Sequence, residues 1–218
     1  VVARTTSSDT GTVMEELIAA KVAEQVGIDH RILMPRRDQF GADLHRFAEA
    51  VDHQTAFHIW FVPVQRDLHR ASGTALDGLG GGLFLGGTFA DLSSSDQSAL
   101  DQRFGRLTRY LQAAPTVLSP QAISTIRDRT RAGFETVAAP LADHPFADTF
   151  TAYLNRTVPG ISHAPYGLLA ASTTVATPFL DHRVVTAALQ IPADHHRGGR
   201  LYPKVLTRFP PQAASIPT

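Results

Sequence analysis

No stretch constrains the chain more than Leu76 to Gly87, which reads Leu-Asp-Gly-Leu-Gly-Gly-Gly-Leu-Phe-Leu-Gly-Gly. It follows a short apolar run, Thr74-Ala75-Leu76, that reads as the end of a buried strand. A glycine-dense turn directly after a strand leaves backbone N–H groups bare and lets a ligand come close to the main chain. In a parallel α/β sheet, ligands sit at the carboxyl ends of the strands. Two readings follow: a phosphate-type loop, or a plain glycine turn from strand to helix. The commoner fingerprints do not fit. Gly78-x-Gly80 needs a glycine at position 83 to complete the dinucleotide pattern, and Leu83 stands there. No Gly-Lys-Ser/Thr follows, so the loop is not of the Walker type.

The segments before the loop supply a sheet. Residues 1–6 are β-branched and apolar, a strand candidate. Thr12-Val13-Met14-Glu15 has capping-box spacing, and Val13, Leu17, Ala20 and Val26 continue on a helical period until Gly27 stops it. Residues 28–34 alternate like a second strand, ended by Pro35. Residues 40–51 read as an amphipathic helix, and 57–70 as another that Pro63 bends. This order predicts an α/β fold with helices feeding a parallel sheet. From Asp91 onward strand signals fade. Helical stretches at 97–111, 121–139 and 146–156 alternate with proline-bearing breaks, and the polar residues 93–96 mark a linker and helix start. The expected division is an α/β core over residues 1–90 and an all-helical portion of the same domain over 91–218.

Bulk properties narrow the function classes. A length of 218 residues allows a substantial core, as one large domain or two small ones. Zero formal charge points away from nucleic acid and anionic membranes as partners. No apolar run approaches the roughly 20 residues of a membrane span. Cysteine is absent, which excludes disulfides and thiolate chemistry and fits a reducing, cytoplasmic setting. Lys21 and Lys204 are the only lysines. His53 and His58 lack an accompanying carboxylate cluster and read as helix-surface residues, so no metal ligand is predicted. Arg127, Asp128, Arg129 and Arg131 read as a solvated face. The chain starts at Val1 inside a strand candidate, without initiator Met or signal peptide, and reads as a piece of a longer protein.

From Asp77 to Thr88 the glycine stretch resembles, without a gap, the Ser-Gly-x-Gly-x-Asp-Glu-Leu-Phe-Gly-Gly-Tyr loop of the asparagine synthetase family's synthetase domain. A second segment, Thr177-Pro178-Phe179-Leu180-Asp181-His182-Arg183-Val184-Val185, is similar to that family's Val-Pro-Phe-Leu-Asp-His-Arg-Leu-Val. Its sequel, Leu189-Gln190-Ile191-Pro192 and then Gly198-Gly199-Arg200-Leu201-Tyr202-Pro203-Lys204-Val205-Leu206, is similar to the family's Leu-Pro … Gly-Gly … Lys-x-Leu-Leu-Arg. Glu16, Ala20, Val22, Ala23, Gly27 and His30 also stand in matching places, although each reads equally as packing or capping. The resemblance implies a parallel-sheet core of the adenine-nucleotide α-hydrolase (PP-loop ATPase) type with an appended helical half. It implies AMP-forming, ATP-dependent amide synthesis through an acyl-adenylate, with Mg²⁺, in the cytoplasm. Asp77, Gly78, Leu79, Gly80 and Gly81 are carried over as ATP contacts, and Lys204 as the catalytic cation. The partners implied are a small-molecule or peptide carboxylate and an upstream glutaminase domain.

The departures carry weight too. Gly82-Leu83 replaces the family's Asp-Glu pair, and neither side chain can ligate Mg²⁺, which takes oxygen donors. Leu79 stands where an acid is often found, and Ala176 where the family has arginine. The Ser-Gly-Gly-x-Asp-Ser pyrophosphate loop, which in the family precedes the first strand here, is not among the 218 residues, nor is a glutaminase domain. These residues alone are therefore not expected to carry the full reaction. Asp181 is read as a helix cap, and neither it nor His182 as catalytic. The open functions are an asparagine synthetase-like ligase, a relative of the β-lactam-synthetase or lasso-peptide-cyclase type acting on another acid, a non-catalytic scaffold, and an unrelated α/β protein.

Overall fold

The computed structural model describes residues 1–6, 14–71, 73–87, 98–208 and 216. The expected helix start at Thr12 and the linker at 93–96 lie outside them. β1 (Val2–Thr6), α1 (Met14–Val26) and β2 (Asp29–Leu33) form a strand–helix–strand unit, with β1 and β2 parallel and Val2 opposite Asp29. Gly27 ends α1 with φ +69°, the left-handed conformation that favours glycine. His30 shares a 2.9 Å hydrogen bond with Thr5 Oγ1 across the strand pair, a structural role.

α2 (Phe40–Ala50) is followed by a 3-10 turn, Ile59–Phe61, and then α3 (Val62–Leu68). The single helix expected over 57–70 is thus divided. Pro63 does not bend it but sits in the first turn of α3, where a missing N–H costs no intrahelical bond. α3 organises what surrounds it. Its Val62 packs with Phe47, Val51 and Leu168. Its Val64 and Leu68 pack with Leu169 and meet Leu33 of β2 and two further strands, through Ala75 and Val175. Full burial of a side chain such as Val62 or Leu168 is worth about 1.5–3 kcal/mol. Asp67 of α3 accepts hydrogen bonds from Arg4 of β1 (2.6 Å) and Arg31 of β2 (3.1 Å). The Arg4 bond is the main reason the Asp67 carboxyl is held below its ordinary range.

Those further strands are β3 (Thr74–Leu76) and β4 (Thr174–Ala176), paired in parallel with Leu76 opposite Ala176. Here the structure corrects two expectations. The portion after Asp91 is not all helical, because β4 lies in it. A three-residue strand is too short to show an alternating pattern. The strand before the glycine loop is also not buried at its end, since Leu76 is 74% exposed. Among the described residues the strands form two separate parallel pairs rather than one sheet. The fold is helix-rich α/β.

α4 (Gly81–Phe84), α5 (Ala99–Leu107), α6 (Pro120–Ala138) and α7 (Ala147–Ala152) continue the chain. Ser98 and Ser119 cap α5 and α6, their hydroxyls accepting from the N–H groups of Asp101 (3.1 Å) and Ala122 (3.2 Å). Past α7 the helix widens into π-helical turns, Tyr153–Ile161 and Ala164–Leu169, marked by Ser162 N–H to Thr157 C=O (2.9 Å) and Ala170 N–H to Pro165 C=O (3.0 Å). α8 (His182–Gln190), α9 (Ala193–His196) and α10 (Leu201–Leu206) complete the described elements.

Candidate functional site

The glycine loop begins where β3 ends. Asp77 N–H donates to Ala176 C=O at 2.9 Å, so the loop leaves from a strand end still tied to β4. The Asp77 carboxylate accepts from Leu79 N–H at 2.8 Å, closing a turn on its own backbone. Burial pushes the Asp77 carboxyl above its ordinary pKa, and that hydrogen bond opposes the shift. Gly80 then takes φ +90° and α4 starts. Leu83 and Phe84 pin this helix to Ala152 and Ala188.

The predicted contacts Asp77, Gly78, Leu79, Gly80 and Gly81 divide into two kinds. Gly78 is exposed, and a Cβ there would meet nothing within 4 Å. Leu79, Gly80 and Gly81 are buried. A Cβ on Gly80 would lie 2.5 Å from Leu180 Cδ2, and one on Gly81 3.1 Å from the Phe179 ring. The second string noticed in the sequence therefore forms the wall of the first. Phe179 and Leu180 were not singled out for this role. The signal was two adjacent glycines in one motif and two bulky apolar residues in the other.

The end of the loop meets the third string. At Gly87, with φ +64°, a Cβ would lie 2.9 Å from the His196 carbonyl carbon and closer still to its oxygen. Gly199 approaches from the same segment, with its Cβ position 3.6 Å from the Gly86 oxygen. The Gly198-Gly199 turn leads directly into α10, on which Lys204 is exposed. His196 itself is buried and bonds through Nε2 to Ala188 C=O at 3.0 Å, fixing α9 on α8.

Asp181 acts as the expected cap. Its carboxylate accepts from Arg183 N–H at 2.8 Å and from the Arg183 guanidinium at 2.9 Å, which hold it well below the usual carboxylate range. His53 is exposed, but in a turn after α2 with φ +56° rather than on a helix surface. His58 is not a helix-surface residue. It is half-buried among Phe57, Trp60 and Phe61, and its pKa falls to about 4, chiefly through burial and then through the charge of Arg156.

Donor chemistry separates the two ligands that the resemblance implies. Gly82 offers no side chain, and Leu83 is 7% exposed within an apolar cluster, so the loop has no side-chain oxygen to give a magnesium ion at these positions. Asp77, the acid nearest in sequence, is engaged on its own turn. Among the described residues no group of three or more His, Asp or Glu side chains is arranged to hold a metal. A nucleotide fits better. Gly78 leaves the main chain accessible, and Leu76, two residues before it, is an exposed apolar side chain.

A glycine loop at the carboxyl end of a parallel strand defines the class, an α/β protein, and strand ends of this kind are where such folds hold ligands. The chain belongs to the asparagine synthase family, whose model matches residues 3–208. This is a family of ATP-dependent amide ligases. No curated protein and no solved structure matches the chain. Among the described residues, no helix is long and apolar enough to cross a membrane.

Proposed function

We propose that the chain binds ATP at the end of β3 and takes part in AMP-forming activation of a carboxylic acid for amide-bond synthesis. The observation that carries this reading is the meeting of three sequence strings, with Phe179-Leu180 against Gly80-Gly81 and the Gly198-Gly199 turn against Gly86-Gly87. Packing accounts for the glycines at 80, 81, 86 and 87, where a Cβ would press on Leu180, Phe179, Gly82 and His196, but not for Gly78, where it would meet nothing. Glycines kept on an exposed turn such as Gly78 serve backbone access instead.

In this reading Asp77 and Leu79 shape the turn, Gly78 gives the main-chain approach, and Gly80 and Gly81 let the loop lie close on Phe179 and Leu180. A carboxylate oxygen of the acid attacks the α-phosphorus and pyrophosphate leaves. An amine nitrogen then attacks the acyl carbon and AMP departs. Charge grows on the pyrophosphate oxygens in the first step and on the acyl oxygen in the second, so a positioned cation lowers both barriers. Lys204 is that cation, a compact ammonium free of any carboxylate partner among the described residues. No step is assigned to magnesium, because the loop does not offer its ligands. The core over 1–90 and the portion over 91–218 act as one synthetase domain, in the cytoplasm, with ammonia supplied by a glutaminase domain where one is joined to it.

A second reading rests on Gly82-Leu83. With Leu83 committed to the apolar cluster, the domain serves as a non-catalytic nucleotide-binding scaffold. One assay divides the two. Mg-ATP-dependent pyrophosphate release is measured across amino acids and carboxylated peptides. Release that disappears in Lys204→Ala supports the ligase. ATP binding without release from any acid supports the scaffold, and Gly82→Asp then tests whether a restored carboxylate brings release back.

A further inference from the structure

The π-helical turn Ala164–Leu169 buries each of its side chains but one. Ala164, Pro165, Leu168 and Leu169 are buried, while Tyr166 is 50% exposed. The turn is firmly seated. Leu168 packs with Val62 and Leu169 with Val64 and Leu68 of α3. Gly167 lies so close to α2 that a Cβ there would stand 2.9 Å from the Ala50 oxygen. The ring is held at its tip as well, since Tyr166 Oη and Thr177 Oγ1 lie 2.5 Å apart and one hydroxyl donates to the other. Single apolar residues on a surface are ordinary. An exposed ring anchored at both ends is different, because its rotamer freedom is already spent and it forms a ready contact face.

The place of this ring is the carboxyl end of the β3–β4 pair. Thr177 follows directly on Ala176, whose C=O accepts from Asp77 N–H where the glycine loop leaves β3. Ala75 and Val175 pack on the side of α3 and Leu169, and alternation along the strands brings positions 77 and 177 back to that side. Just beyond, Phe179 and Leu180 lie against Gly81 and Gly80. Residues 177–180 thus anchor Tyr166 at one end and wall the loop at the other. The widened backbone belongs to this arrangement, since π-helical turns recur at functional sites.

We infer that Tyr166 is the platform on which the base of the bound nucleotide stacks, beside the turn that receives its phosphates. Naming the ligand a nucleotide rests on the function proposed above; the exposure and anchoring of the ring do not. With its hydroxyl engaged by Thr177, the ring offers a π face rather than a polar tip. Every nucleobase has such a face, so stacking holds a base without reading its edge. Tyr166 therefore serves adenine and guanine alike. Thr177 is a positioning residue that acts through Tyr166.

The test separates base from phosphates. Adenosine, ATP, GTP and inorganic tripolyphosphate are titrated by calorimetry into the full chain and into Tyr166→Leu, Tyr166→Phe and Thr177→Val, each first shown to be folded. Tyr166→Leu is expected to weaken adenosine, ATP and GTP about tenfold and to leave tripolyphosphate unchanged. Tyr166→Phe keeps the ring, and it and Thr177→Val should lose no more than about threefold. Tyr166→Gln supplies the same comparison should Tyr166→Leu not fold. In the parent, the H2 and H8 proton resonances of adenosine should move upfield through the ring current, a shift that a merely structural tyrosine would not produce. Equal adenosine affinity in parent and Tyr166→Leu, or an equal loss for tripolyphosphate, overturns the inference. Tripolyphosphate binding that Gly78→Ala abolishes, with adenosine indifferent to Tyr166, removes the platform and keeps the loop reading. Adenosine binding that needs Tyr166, with tripolyphosphate indifferent to Gly78, does the reverse. No binding of adenosine or ATP to the parent removes both.

Discussion

Gly87→Ala should be among the most damaging single-atom additions to this chain. The residue has φ +64°, and placing alanine there costs about 1–2 kcal/mol. The added methyl also falls 2.9 Å from the His196 carbonyl carbon and nearer its oxygen, where only backbone movement gives relief. Overpacking of that kind costs about 1–3 kcal/mol. The two add to about 2–5 kcal/mol, and any relaxation must push α9 and the Gly198-Gly199 turn away from the loop. Two neighbours set the scale. Gly80→Ala shares the positive φ but meets Leu180 Cδ2, the end of a flexible side chain, and should cost about 1–3 kcal/mol. Gly78→Ala meets nothing within 4 Å and has no positive φ, so its effect should stay within about 0.5 kcal/mol. Urea unfolding followed by the fluorescence of Trp60, the only tryptophan, gives all three values. A loss below about 1 kcal/mol for Gly87→Ala, or an order other than 87, 80, 78, would refute the packing that joins the loop to the segment bearing Lys204.

Three further outcomes follow from the same packing. His58 has its pKa lowered to about 4, so the native state resists its protonation and stability should fall as pH drops from about 6.5 toward 4. The loss should reach at most about 2 kcal/mol after solvent screening, and His58→Phe should flatten the pH profile of the unfolding midpoint. Asp77 has the opposite sign for an acid: its folded pKa is raised, so its ionisation weakens the fold as pH rises through that value. Asp77→Asn keeps an acceptor for Leu79 N–H and should match or exceed the parent's stability at pH 7, with the difference closing in acid. Leu83→Asp places a charge in an apolar cluster and should cost about 3 kcal/mol or more, whereas Gly82→Asp, at an exposed site, should be tolerated in thermal unfolding.

Much of the fold was legible because local chemistry spoke plainly. The helix ending at Gly27, the strand before Pro35 and the cap at Asp181 were all read from residue type and spacing, and the structure has them. β4 was not legible: three residues carry no period, and it exists only because β3 lies beside it. Pro63 reads as a helix bend but opens α3, because a 3-10 turn before α3 is invisible in hydrophobic pattern. The glycine loop stood out by composition, yet nothing local told which glycines face solvent and which face protein. That division comes from Phe179, Leu180 and His196, about a hundred residues away in sequence. His58 was missed as a buried group for the same reason, since the rings around it gather only on folding.

The central claim is that the turn at Gly78 is where ATP meets the main chain. ATP is titrated into the parent protein and into Gly78→Ala, with the folded state of each checked first. The account predicts binding by the parent and a loss of about tenfold or more in the variant at unchanged stability, because the added methyl stands where a ligand must approach the backbone. Equal affinity in both proteins would contradict it and move the nucleotide away from the glycine loop.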